Sequence, residues 1–186
     1  LKLVGKWDGS KWEPIRQGLA FGTVQTIAVD GQNIYLGGVV RVPADNVNIQ
    51  SSCIIKWNGT DWEALDEGLN AQVHDIEVHS SGDVYAVGDF TNAHQHGTQV
   101  DGLNRIARWN GSEWKPLEKG LNGSVDAIAI DGDNIIVGGS FSNVAQGGTS
   151  VTGLNNIAKW NGNNWSTIGN GISSHVRTIE LHGDKI

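Results

Sequence analysis

The residues best suited to chemistry in this chain of 186 amino acids lie in one polar stretch. His94-Gln95-His96 places two imidazoles two positions apart, close enough on a loop to share one Zn²⁺ or Cu²⁺, and Asp101 follows as a third oxygen or nitrogen-type ligand would have to. A pair of histidines without a complete ligand set is also an ordinary solvated loop. The expectation is therefore no bound metal and no cofactor, with His94 and His96 as the candidates should one bind. Asp131-Gly132-Asp133 has the opening of a calcium loop, but the equivalent Asp30-Gly31-Gln32 and Ser81-Gly82-Asp83 lack the remaining oxygen series, and a hairpin turn reads better. An enzyme needs a nucleophile with a base, a carboxylate pair or an open metal site, and with only these weak candidates an enzyme is not expected.

A repeat must position these residues. All eight tryptophans fall in four pairs, WDGSKW, WNGTDW, WNGSEW and WNGNNW. The leading members Trp7, Trp57, Trp109 and Trp160 stand 50, 52 and 51 residues apart, and their partners are Trp12, Trp62, Trp114 and Trp165. A period near fifty belongs to propeller blades and related arrays. After each pair comes Gly-Leu or Gly-Ile, then a β-branched run (VQTIAV, VHDIEV, VDAIAI, VRTIEL), a Gly-containing turn and, in three repeats, a second run (NIYLGG, DVYAVGDF, NIIVGG). Two strands joined by a tight turn form a hairpin, and apolar residues on both sides of them predict sheets covered on both faces. Longer polar segments at 41–52, 91–104 and 142–155 lead to a third strand and, through the tryptophan turn, to a fourth. The tryptophans of a pair should then face each other across the turn and serve packing within and between repeats.

Composition narrows the classes. Glycine is abundant (26 residues) and proline rare (3), as in a folded, turn-rich chain. The formal net charge of −7, without a basic cluster, argues against nucleic acid as a partner. No run of about 18 apolar residues is present, so no membrane insertion is expected. The single Cys53, beside Ile54 and Ile55, excludes an internal disulfide and reads as an inert buried thiol. Sequons at Asn58, Asn110, Asn122 and Asn164 are glycan acceptors in a eukaryotic secretory pathway, although Asn58, Asn110 and Asn122 precede glycine, where a turn preference for positive φ accounts for the asparagine.

The expected fold class is all-β: a β-propeller of four-stranded antiparallel blades, with about four repeats forming a four-bladed ring or a fragment of a larger one. Blades are expected at 23–69, 72–121 and 124–172, with a fourth divided between 2–19 and 175–186, all as one domain over 1–186. A strand ending in Gly-Gly, followed by an aromatic and a later tryptophan, resembles the kelch repeat of the galactose oxidase central domain type. Gly37-Gly38 and Gly138-Gly139 carry the double glycine, whereas Val87-Gly88 keeps only the later one, so Gly38, Gly88 and Gly139 are the expected structural glycines. The Trp-rich form is similar to repeats of secreted and cell-surface proteins, which implies an extracellular or cell-surface location. The resemblance extends to copper oxidases, but their tyrosine, histidine and cross-linked cysteine set is not matched by Tyr35, Tyr85 and Cys53, which lie within strands.

Calling the four strands a to d, the a–b and c–d turns fall on one face of the disc and the b–c and d–a connections on the other. The long, variable b–c loops make that second face the expected binding face. Its candidates are Arg41, Asp45, Asn46, Asn92, His94, Gln95, His96, Asp101, Asn143 and Gln146. The function implied is a non-enzymatic binding or scaffold module for protein or carbohydrate. The alternative is a purely structural repeat of a larger surface or adhesive protein, assembling as a homo-oligomer through an unpaired blade edge. Glu77 and Glu180 occupy equivalent places in strand a and are expected beside a central channel, with Ala28 and Ala129 in the other repeats.

Overall fold

The computed structural model describes residues 4–16, 18–19, 21–41, 53–146, 149–183 and 185–186. Among the described residues there is no helix, and so none long and apolar enough to cross a membrane. The β-branched runs and Gly turns build three four-stranded antiparallel meanders, each in the order a-b-c-d. Sheet I contains β3 (Phe21–Asp30), β4 (Asn33–Arg41), β5 (Ile54–Trp57) and β6 (Trp62–Ala64). Sheet II contains β7 (Val73–Val78), β8 (Val84–Gly88), β11 (Ile106–Trp109) and β12 (Trp114–Pro116). Sheet III contains β13 (Ser124–Asp131), β14 (Asn134–Ser140), β17 (Ile157–Trp160) and β18 (Trp165–Thr167). A hairpin of β1 (Gly5–Trp7) and β2 (Trp12–Pro14) precedes them. Near the C-terminus, Val176 donates its N–H to the Gly139 carbonyl at 3.0 Å, but residues 175–181 form no strand. The strand a expected there has no strand b beside it among the described residues.

Strand periodicity of two sends alternate side chains to opposite faces; in β8 both faces are buried, whereas Ile27 and Val29 leave one face of β3 exposed. Tyr35 and Ile54 face sheet II, whereas Leu36 and Ile55 from the same strands face the β1–β2 hairpin. Val84 and Ala86 turn toward sheet I, and Tyr85 and Val87 toward sheet III. The core is thus three slabs, each lying between consecutive sheets.

The tryptophan pairs are directly opposed in register, with ring centroids 5.4–5.7 Å apart. The second tryptophan also ties one sheet to the one before. Trp114 Nε1 donates to the Leu65 carbonyl at 3.0 Å, and Trp165 Nε1 to the Leu117 carbonyl at 3.2 Å. Trp62 Nε1 is buried with no partner among the described residues, and Trp7 and Trp12 are 51% and 61% exposed, no described sheet lying against the outer side of their hairpin. In the three sheets the pairs thus pack between sheets, whereas Trp7 and Trp12 pack on each other in an exposed hairpin.

Two local expectations need correction. The asparagine of the Trp-Asn-Gly turn does not take positive φ; Gly59, Gly111 and Gly162 do, at 93–97°. Asparagine serves as an acceptor instead: Asn58 Oδ1 takes the N–H groups of Thr60 and Asp61, and Asn110 Oδ1 those of Ser112 and Glu113. Asn122 likewise lies outside the positive-φ set and accepts from Ser142 and Asn143. Cys53 is half-buried and not fully buried, because its φ of 68° turns it at the entry to β5.

Candidate functional site

The second and third polar b–c segments fold back as hairpins where plain loops were expected; the first lies outside the described residues beyond Arg41. β9 (Asn92–Gln95) pairs with β10 (Thr98–Asp101) through a two-residue turn, His96-Gly97, in which both residues have positive φ (50° and 75°). β15 (Asn143–Gln146) pairs with β16 (Thr149–Thr152) in the same place of the next repeat. Each hairpin lies on the d–a connection of the preceding sheet. Leu69 bridges to Ala93 and Leu121 to Val144, and the His94 N–H donates to the Gly68 carbonyl at 3.1 Å. The asparagine after Gly68-Leu69 and after Gly120-Leu121 locks the contact. Asn70 Oδ1 accepts from Thr91 and Asn92, as Asn122 Oδ1 does from Ser142 and Asn143. The repeated Gly-Leu-Asn at 68–70 and 120–122 was the signal for these latches.

The histidines of the hairpin do not converge. His94 lies 3.9 Å from Glu67 and His96 3.4 Å from Asp66, with the two side chains 50% and 71% exposed. Asp101 sits at the far end of the hairpin opposite Asn92 and accepts from Gln99 Nε2 at 2.6 Å. No group of three or more His, Cys, Asp and Glu able to hold a metal ion occurs among the described residues. Gln95 has a structural duty, its Oε1 accepting the Trp114 N–H at 2.6 Å. Asn92 buries an Oδ1 without a partner, and Asn143 is tied by its backbone to Asn122. Arg41 and Gln146 end β4 and β15, but their side chains lie outside the described residues, as do Asp45 and Asn46 altogether.

A second constellation, not singled out by the sequence, sits at the inner end of the same face. Strand a carries a bulge at one repeat position in every sheet, between Val24 and Thr26, Val73 and Asp75, and Val125 and Ala127. The residue pushed out of the ladder is Gln25, His74 or Asp126, aimed away from its own sheet by the local kink. His74 Nδ1 stands 3.1 Å from the Val125 carbonyl and 3.2 Å from Asp126, and its Nε2 3.3 Å from Asp89. Asp126 also meets His175 Nε2 at 2.6 Å. Asp75 spans three repeats, accepting from Thr26 Oγ1 at 2.8 Å and from the Ile128 N–H at 3.1 Å. The chemistry offered is a chain of hydrogen-bond donors and acceptors. His79, by contrast, belongs to the opposite face, where its Nε2 lies 3.0 Å from the Gly132 carbonyl in the β13–β14 turn.

Glu77 points toward the inner side near Asp75 and Glu180. Burial, then the charges of Asp75 and Glu180, push its carboxyl above the ordinary glutamate range. A carboxyl raised in the fold favours the protonated folded state, so its contribution to stability is full at low pH and is lost as pH rises through the folded value. Glu77→Gln is therefore expected to raise the melting temperature at pH 7, with the gain fading toward pH 3, as thermal unfolding across that range would show. An equal gain at both pH values would mean that charge is not the cause.

No family model matches the chain. Among curated proteins, the polarized growth protein L1 of Phoma sp. (strain ATCC 20986 / MF5453) is 30% identical over 148 residues, covering 74% of this chain and 11% of that protein. The chain thus spans about a tenth of the length of the curated relative it matches. In three dimensions it is similar to the crystal structure of the computationally designed Ika4 protein, with a TM-score of 0.55 at 12% identity over 90% of this chain and 86% of that one. The computationally designed Ika8 protein gives a TM-score of 0.53 at 12% identity, over 87% of this chain and 41% of that one. These likenesses bear on the fold alone, a repetitive all-β arrangement.

Proposed function

We propose that the chain is a non-enzymatic binding module, a kelch-like β-propeller or part of one, that takes a protein or carbohydrate ligand on the face built from its b–c hairpins and d–a connections. One observation supports this above others. The two described polar segments are locked by backbone hydrogen bonds onto the neighbouring sheet while His94 and His96 are exposed. A rigid platform with free polar side chains loses little entropy on binding, which favours recognition through many small contacts. The match to the polarized growth protein suggests further that the module serves as one segment of a long protein acting in polarised growth at the cell surface.

The test is binding to arrayed oligosaccharides and to proteins from the cell surface, followed by simultaneous alanine substitution of His94, His96 and Asp101. Affinity for the ligand found is expected to fall at least tenfold, equal to about 1.4 kcal/mol, while the melting temperature stays within about 1 °C, since all three residues are exposed. Unchanged affinity would remove the hairpin from the binding face.

The alternative reading, a structural repeat assembling through an open edge, also has support, because Ile27 and Val29 of β3 are 56% and 66% exposed.

A further inference from the structure

The exposure of Ile27 and Val29 is a property of one sheet face, and the repeat itself shows what normally covers that face. At the junction of sheets I and II, the Cβ position of Gly37 in β4 lies under Val73 and Ile76 of β7, at 2.6 and 2.9 Å from their methyl groups. Near the C-terminus, Gly138 of β14 lies in the same way under Val176 and Ile179. Val24 and Ile27 are the equivalent residues of sheet I, yet Ile27 is 56% exposed where Ile76 is 2% exposed. At these two junctions strand a packs on the glycine-bearing strand b of the sheet before it, and among the described residues no strand b lies against that face of sheet I.

Two further observations specify the missing element. Strands β5, β11 and β17 pair on one side with a strand d and on the other with a strand b, whereas β1 is hydrogen-bonded only to β2 among the described residues. Among the described residues no strand pairs with its inner edge. Between the β1–β2 hairpin and sheet I there is also a cleft of about 550 Å³, lined by Glu13, Ile15, Val29, Ile34 and Trp57. At the later junctions strand b sends a tyrosine into the core, Tyr35 toward sheet II and Tyr85 toward sheet III.

We propose that the open face of sheet I and the inner edge of β1, which no described strand occupies, form a docking site for a two-stranded a–b hairpin of this same repeat type. Its second strand hydrogen-bonds to β1, places a glycine over Ile27 and fills the cleft with an aromatic side chain, as strand addition to a sheet edge does. A second copy of residues 1–186 has no such hairpin to give. Its Gly37 and Gly138 are already covered, and Val87, at the matching position of sheet II, is fully buried. The inference is independent of what the b–c face binds.

A synthetic peptide of residues 22–40, which carries Tyr35, Gly37 and Gly38, is the probe, added to the intact chain. It is expected to raise the melting temperature by several degrees and to slow hydrogen exchange at the amides of Gly5–Trp7 and Thr26–Val29. The Ile27→Asp/Val29→Asp variant should fold, as circular dichroism would show, because both side chains are exposed, and should lose both responses. No response in the natural chain, or an undiminished one in the folded variant, overturns the proposal. So does reversible dimerisation of the natural chain in sedimentation that the double substitution abolishes, since a second copy would then be the occupant.

Discussion

Gly88→Ala is expected to destabilise the chain by at least about 3 kcal/mol, a melting-temperature loss of about 6–12 °C for a chain of this size. A Cβ at this position would stand 2.1 Å from the Gln72 carbonyl oxygen and 3.0 Å from the Val73 Cα. Both are backbone atoms of the segment entering β7, so relief requires strands a and b to separate at the bulge. The same collision is built into the other sheets, with Gly38 at 2.1 Å from the Thr23 carbonyl and Gly139 at 2.1 Å from that of Ser124. The earlier glycine of each pair differs in kind. Gly37 and Gly138 meet side-chain methyl groups, which can shift, and sheet II has Val87 there without a glycine. Gly132→Ala supplies the control, since nothing lies within 4 Å and only a φ of +56° opposes it, a cost of about 1 kcal/mol. Urea denaturation of the three variants Gly88→Ala, Gly138→Ala and Gly132→Ala should order them with Gly88→Ala least stable. A Gly88→Ala protein as stable as Gly132→Ala would mean that the strands part more easily than the ladder implies.

Trp114→Ala should cost about 3–5 kcal/mol, near the upper end for a single substitution. Trp114 is 1% exposed, packs against Trp109 with centroids 5.4 Å apart, and holds the Leu65 carbonyl of the preceding sheet. Trp114→Phe keeps much of the apolar surface but leaves that carbonyl unpaired, for about 1–2 kcal/mol. Trp62 allows the two contributions to be separated. Its ring is also buried, but its Nε1 has no partner, so Trp62→Phe removes an unsatisfied donor and should cost clearly less than Trp114→Phe. Trp12→Ala, in the exposed hairpin, should change stability by less than about 0.5 kcal/mol. Chemical denaturation of the four variants decides the matter. Equal costs for the two phenylalanine substitutions would show that the indole N–H bond between sheets contributes nothing.

The sequence by itself determined everything that depends on neighbours along the chain. The Trp-x₄-Trp spacing requires a four-residue turn with facing indoles, the runs with apolar residues on both sides predict covered strands, as in β8 but not at Ile27 and Val29 of β3, and Val87-Gly88 already marked the later glycine as the one without room for a side chain. Binding-face candidates were legible only as a polar, variable segment. That His94 and Gln95 would lie in a strand and His96 in the two-residue hairpin turn His96-Gly97, with the histidines beside Glu67 and Asp66 and away from Asp101, depended on the docking of that segment onto residues 66–70 of another repeat. His74, Asp126 and His175 are about fifty residues apart in turn, and each looks like an ordinary polar member of a strand. Only the bulge, which expels one residue per inner strand from its ladder, and the stacking of successive sheets bring them within hydrogen-bond distance. The exposure of Ile27 was equally hidden, since its sequence environment matches that of the buried Ile76. Local pattern fixes which side chains leave a strand together; what they meet is set by the sheet packed opposite, and that information lies a full repeat away in the chain.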